Sequence, residues 1–207
     1  MQSSTADTAQ NTLATASHTE AGHHGDHPDH RIFGLYMFLF AEAMIFLGLF
    51  AAYLTFRSVA QVWPPQGTPE LELLLLPTVN TVILVSSSFV MNRGNKAIRN
   101  NDVKGLRLWF AITAAMGLVF LFGQGYEYFT NEFGLTDNLF TSTFYVLTGF
   151  HGLHVTFGLG LILVVLGRSL KAGRYTSESH FGPEAAELYW HFVDIVWIVL
   201  FAILYLF

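Results

Sequence analysis

The chain of 207 residues contains no cysteine. That excludes disulfides, thiolate metal ligands, iron–sulfur clusters and a cysteine-based copper site. Charge is scarce as well: Asp, Glu, Lys and Arg make up 12% of the residues, about half the ~25% usual for a soluble globular domain. The first 30 residues hold no apolar run and no basic leader. No cleavable signal peptide is therefore expected, and the first hydrophobic segment is read as the targeting signal.

What the chain has instead is apolar surface. Hydrophobic residues are 52% of it, 20 of them Phe, and the mean hydropathy is +0.44. A bilayer core of ~30 Å takes roughly 20 helical residues per crossing. Five segments meet that length, near 32–56, 71–91, 107–128, 139–167 and 186–207. The expected fold is an all-α membrane protein of five spans from residue 31 to 207, with no room for a separate soluble domain.

Orientation follows from the cations. Arg93, Lys96, Arg99, Lys104 and Arg107 lie between spans two and three, Arg168, Lys171 and Arg174 follow span four, and Arg31 precedes span one. With five crossings these regions share one side, against Arg57 alone on the other. The basic side is cytoplasmic by the positive-inside rule, so the N-terminus is expected inside and the C-terminus outside.

Residues 1–30, rich in Ser, Thr, Ala and His, are expected to be a disordered cytoplasmic tail. His23, His24, His27 and His30 share a face only if that stretch becomes helical, so a solvated tail is preferred to a metal site. Trp63-Pro64-Pro65 and Pro69 predict a non-helical outer loop. Pro77 predicts a kink in span two, with Asn80 and Ser86-Ser87-Ser88 re-satisfying the freed backbone. Small residues recur at packing intervals: Gly34, Ala41 and Gly48 in span one, and Gly149, Thr156, Gly160 and Gly167 in span four.

Glu42, His151, His154, His191 and Asp194 fall inside spans, where an ionisable side chain costs roughly 2.5–3.5 kcal/mol near the bilayer centre. Each must pair, change protonation or face protein. Glu127, at the outer end of span three, reads as interfacial. Three readings of the buried set stay open: imidazole ligation of haem or another metal, a proton relay, and His–carboxylate pairs joining helices. Spacing favours the pairs. Glu42 and the span-four histidines lie at similar depth, and His154 is the expected partner ahead of His151.

Thr148-Gly149-Phe150-His151-Gly152-Leu153-His154-Val155 and Tyr189-Trp190-His191-Phe192-Val193-Asp194-Ile195-Val196-Trp197 closely resemble segments of subunit III of the haem–copper terminal oxidases. Trp63-Pro64-Pro65, Gln124-x-x-Glu127-Tyr128 and His180-Phe181-Gly182-x-Glu184-Ala185-Ala186 match in order as well. The resemblance runs from about residue 32 to the C-terminus. It implies the shorter bacterial five-helix form of cytochrome c oxidase subunit 3, lacking two helices that elsewhere help enclose a lipid-filled cleft. Contacts made with those helices do not carry over.

By that resemblance the chain is an accessory subunit of an aerobic cytochrome c oxidase in a bacterial cytoplasmic membrane or another bacterial energy-transducing membrane, with no catalytic centre of its own. Haem and copper are expected in partner subunits. Subunit I is the expected packing partner and subunit II a companion, with cytochrome c as donor to the complex and structural phospholipid bound. Nucleic acid is not an expected partner. The family's intramembrane glutamate matches Glu42 in Ala41-Glu42-Ala43-Met44-Ile45-Phe46, and its phospholipid-contacting arginine and histidine match Arg168 and His180. A quinol oxidase or a nitric oxide reductase-associated complex is the alternative host. An autonomous membrane haem or proton-conducting protein is the alternative of another class.

Overall fold

A computed structural model of the chain describes residues 30–66, 68 and 75–206. All regular structure among them is helical: α1 (His30–Val59), α2 (Leu75–Arg99), α3 (Val103–Thr130), α4 (Leu139–Ser169) and α5 (Phe181–Phe201), the last prolonged by a π-helical turn, Ala202–Leu206. Each is long and apolar enough to cross a membrane. The tail histidines His23, His24 and His27, Pro69 and residues 71–74 of the expected second span lie outside the described residues.

Local chemistry sets the helix ends. Asp102 caps α3, its carboxylate accepting from the Gly105 N–H at 2.8 Å. Asn138 and Thr141 form a reciprocal capping box on α4: the Asn138 side chain accepts from the Thr141 N–H at 3.0 Å, and Thr141 Oγ1 accepts from the Asn138 N–H at 3.1 Å. The turn between α2 and α3 needs only residues 100–102, with Asn101 left-handed at φ 59°. Asn is one of the few residues besides Gly to adopt that conformation readily.

Three expectations change. First, α2 continues to Arg99, two turns past the expected end, so Arg93, Lys96 and Arg99 belong to a helix and not to a loop. The Arg93 guanidinium lies 5.2 Å from the centre of the Trp109 ring. Second, Pro77 falls in the first described turn of α2, so its missing N–H breaks no intrahelical bond among the described residues. Ser87 and Ser88 instead bond to α5. Third, α5 begins at Phe181 and not near 186, because Pro183 is tolerated in a first turn. That start brings Glu184 and Glu187 onto the helix.

The core gathers where α2, α3, α4 and α5 meet. Trp190, fully buried, sends its indole N–H to Ser87 Oγ of α2 at 2.8 Å. A Cβ added at Gly117 of α3 would stand 2.7 Å from Trp190 Cη2, and one at Gly158 of α4 would stand 3.0 Å from Cε3. Both positions therefore need glycine to admit the ring. Helix α1 is attached differently. Phe46, packed on Phe150, His154 and Phe192, and Phe38, stacked on Tyr189, are its main aromatic holds. Much of the rest of α1 is exposed.

Candidate functional site: polar contacts buried between the helices

Glu42 of α1 meets His154 of α4, Oε2 to Nε2, at 3.0 Å. The other ring nitrogen, Nδ1, lies 2.8 Å from the Phe150 carbonyl oxygen. A carbonyl can only accept, so Nδ1 carries a hydrogen and donates. One further proton then bridges Nε2 and Oε2. Carboxylic acid with imidazole and carboxylate with imidazolium are both neutral overall, which is the charge state a mid-membrane contact favours. Phe46 and Phe150 edge the imidazole at 4.9 and 4.7 Å between ring centres.

His151 is not part of that pair. Three residues of helix rotate a side chain by about 300°, so His151 and His154 diverge by about 60°. His151 turns into the core, its ring 4.8 Å from Trp197 and 5.9 Å from Phe120 between centres. Neither of its nitrogens has a hydrogen-bonding partner among the described residues. The expectation that His151 is a paired group is corrected: its neighbours are aromatic.

His191 and Asp194 do not bond each other directly; Ser88 of α2 joins them. Ser88 Oγ donates to Asp194 Oδ2 and lies 2.8 Å from His191 Nδ1. His191 Nε2 lies 3.7 Å from Glu187 Oε1, and Asn95 Nδ2 donates to Glu187 Oε2. Arg99 and Glu184 follow at 3.7 Å. Toward the other end Trp197 Nε1 donates to Thr81 Oγ1 at 2.9 Å. These contacts form one antiparallel seam between α2 and α5. Sequence reading missed Ser88, Asn95 and Glu187 as its members. The spacing carried the signal: Thr81, Ser88 and Asn95 fall seven apart, and Glu184, Glu187, His191 and Asp194 repeat on one helical face.

Glu127 also departs from expectation. It is buried, not interfacial. Tyr205 Oη donates to its Oε1 at 2.7 Å and Gln124 Nε2 to its Oε2 at 3.0 Å. The turn at 202–206 folds Tyr205 over this end of α3, covering the carboxylate. Nearby, Tyr128 Oη and Thr148 Oγ1 bond at 2.6 Å. Arg168 is exposed in the last turn of α4, and His180 is half-buried at the N-cap of α5, making no cap bond through its side chain. Among the described residues no three His, Asp or Glu side chains converge as a metal-holding group.

The family model described as cytochrome c oxidase subunit III matches residues 5–207. The chain belongs to the cytochrome c oxidase subunit III family.

A cytochrome c oxidase subunit 3 from Synechocystis sp. is 70% identical over 185 residues, covering 89% of this chain and 78% of the relative. One from Thermostichus vulcanus is 55% identical over 184 residues, covering 89% and 90%. A probable cytochrome c oxidase subunit 3 from Mycobacterium leprae is 41% identical over 198 residues, covering 94% and 96%. In this member of the subunit III family the two motif segments, 148–155 and 189–197, pack against each other. His151 meets Trp197, Gly158 just beyond the first segment meets Trp190, and Tyr189 Oη lies 3.4 Å from the His154 carbonyl oxygen. Two of the segments that carry the resemblance thus meet at the α4–α5 contact.

Proposed function

We infer that this chain serves as the accessory subunit III of an aerobic cytochrome c oxidase, supporting a partner's chemistry. The observation that carries the reading is how the buried ionisable groups are used. Glu42 is engaged by His154, Asp194 by Ser88, Glu187 by Asn95 and Glu127 by Tyr205. These side chains tie one helical element to another, the use expected of a scaffold.

Haem and copper belong to partner subunits in this proposal. Subunit I packs on the exposed apolar faces, subunit II sits in the same complex, and cytochrome c delivers electrons to it. The host is a bacterial cytoplasmic membrane, with the basic ends of α2, α3 and α4 on the cytoplasmic side, the N-terminus inside and the C-terminus outside. Structural phospholipid completes the assembly. An apolar groove of about 290 Å³ between α1 and α4, lined by Leu49, Tyr53, Phe56, Leu139, Val146 and Leu147, suits an acyl chain. Arg168 offers a planar guanidinium to a lipid phosphate at headgroup depth, with His180 nearby in the proposal.

Affinity purification of the tagged full-length chain from native membranes tests the reading. The expected product is a multisubunit complex that contains haem and consumes oxygen with reduced cytochrome c. Purification of the chain alone, carrying its own Soret absorption, would overturn it.

A further inference from the structure

At one end the seam between α2 and α5 meets a cavity. Leu35 and Tyr36 of α1 and Glu184, Glu187 and His191 of α5 are among the walls of a hollow of about 120 Å³. A water molecule needs about 10–15 Å³ and two or more polar partners, so the hollow has room for several. His191 reaches it with a side chain 35% exposed, whereas Asp194, three residues further along α5, is buried.

Ser88 of α2 stands between the two. Its hydroxyl has one hydrogen, which it donates to Asp194 Oδ2, so toward His191 Nδ1 at 2.8 Å it can only accept. Nδ1 therefore carries a hydrogen while Asp194 is ionised. Nε2, 3.7 Å from Oε1 of the cavity-wall Glu187, is the nitrogen left to gain or lose one. A proton arriving there makes an imidazolium, and two short transfers then neutralise the pair. The Nδ1–H bond breaks as a new Ser88 O–H forms, and the old Ser88 O–H breaks as Asp194 gains an Oδ2–H. The products are an imidazole protonated at Nε2 and a carboxylic acid, with one proton added in all. Both hydrogen bonds persist, reversed in direction.

The Asp194 end suits that outcome. Its other oxygen, Oδ1, is buried without a hydrogen-bonding partner among the described residues. A bare oxygen on a buried carboxylate costs far more than a bare carbonyl on a carboxylic acid. The charged and titratable groups that face the seam are Glu184 and Glu187 from α5, Arg99 from α2, and Tyr36 with Arg31 from α1. Among the described residues no ionisable side chain of α3 or α4 bonds to it. Beyond Asp194 the seam continues with Trp197, whose indole N–H donates to Thr81 and cannot accept. The relay ends at Asp194.

We propose that Asp194 is a proton-binding site, loaded and emptied from the cavity between α1 and α5 through His191 and Ser88. The site stores a proton and conducts none across the bundle. Its chemistry is that of these side chains alone, whichever complex holds the chain.

Infrared difference spectra of the intact complex, parent minus Asp194→Asn, isolate the carboxylic-acid carbonyl band of Asp194, and transfer into D2O times its exchange. The parent should show that band, its downshift on deuteration, and a reversible loss of intensity as pH rises. Ser88→Ala and His191→Gln interrupt the relay at different places. Each should slow the exchange about 10²-fold or more, the order that a positioned proton carrier contributes. Ser88→Thr, which restores a hydroxyl, should exchange like the parent. The two interruptions sit on different helices, so if one variant does not assemble the other decides. Absence of the acid band from the difference spectrum overturns the proposal. So does exchange in an interrupted variant as fast as in the parent, or exchange in Ser88→Thr as slow as in Ser88→Ala.

Discussion

Trp190 gives the sharpest quantitative test of how the bundle is held. Gly117→Ala alone places a methyl 2.7 Å from Trp190 Cη2, an overpacking that typically costs about 1–3 kcal/mol. The helix-propensity gain of Ala over Gly returns ~1 kcal/mol, leaving a net loss of about 0–2 kcal/mol. Trp190→Phe alone removes the indole donor to Ser87, worth about 0.6 kcal/mol and at most ~1.7 in membrane helices. It also vacates the outer edge of the benzo ring beside Gly117 and Gly158, adding a cavity term of about 1–2 kcal/mol. In the double variant the Ala methyl enters the space the indole has left, so its clash disappears and part of the cavity is filled. The two losses should then fall short of additivity by about 1–3 kcal/mol. Reversible unfolding in mixed detergent micelles, followed by helical circular dichroism for all four proteins, measures that coupling. Additivity within ~0.5 kcal/mol would refute the claim that the Gly117 position exists to admit the indole.

Two further expectations follow from the polar contacts. Glu42→Ala removes the partner of His154; the assembled complex should keep its haem spectrum yet lose oxygen-consuming activity faster during turnover. Glu42→Gln, which still donates a hydrogen to Nε2, should behave like the parent, and a lower haem content in either variant would contradict a supporting role. Ser88→Ala strips Asp194 and His191 of their common partner, and should lower unfolding stability by roughly 1–3 kcal/mol as a buried acceptor goes unsatisfied. Ser86→Ala, with no such bridge among the described residues, serves as the control in the same detergent titration.

Much of this architecture can be read in the sequence because the bilayer imposes a length and a polarity on every crossing. The five helices follow from that alone, and depth put Glu42 level with both span-four histidines, of which His154 is its partner. The misreadings have separate causes. Arg93, Lys96 and Arg99 looked like loop because charge was equated with the end of a helix, yet all three are exposed residues on the last turns of α2. Glu127 looked interfacial because Tyr205, which covers it, lies 78 residues later in an irregular turn. His151 looked like a partner for a carboxylate because depth was weighed without rotation about the helix axis. The α2–α5 seam needed two faces read together, and neither helix alone says which serine meets which acid.

The placement of Trp190 has a consequence for biogenesis. Helices α2, α3 and α4 each present a surface shaped to that indole, and the residue arrives only with α5, after they have been synthesised. At about 5–20 residues per second, the stretch from the end of α4 to Trp190 takes roughly one to four seconds to emerge. During that interval Gly117 and Gly158 face an unfilled gap, and Ser87 lacks the donor it will later accept from. Insertion of α5 therefore acts as the closing step of assembly. A chain arrested before it should be recognised by membrane proteases as incomplete, even with four of its spans already in the bilayer.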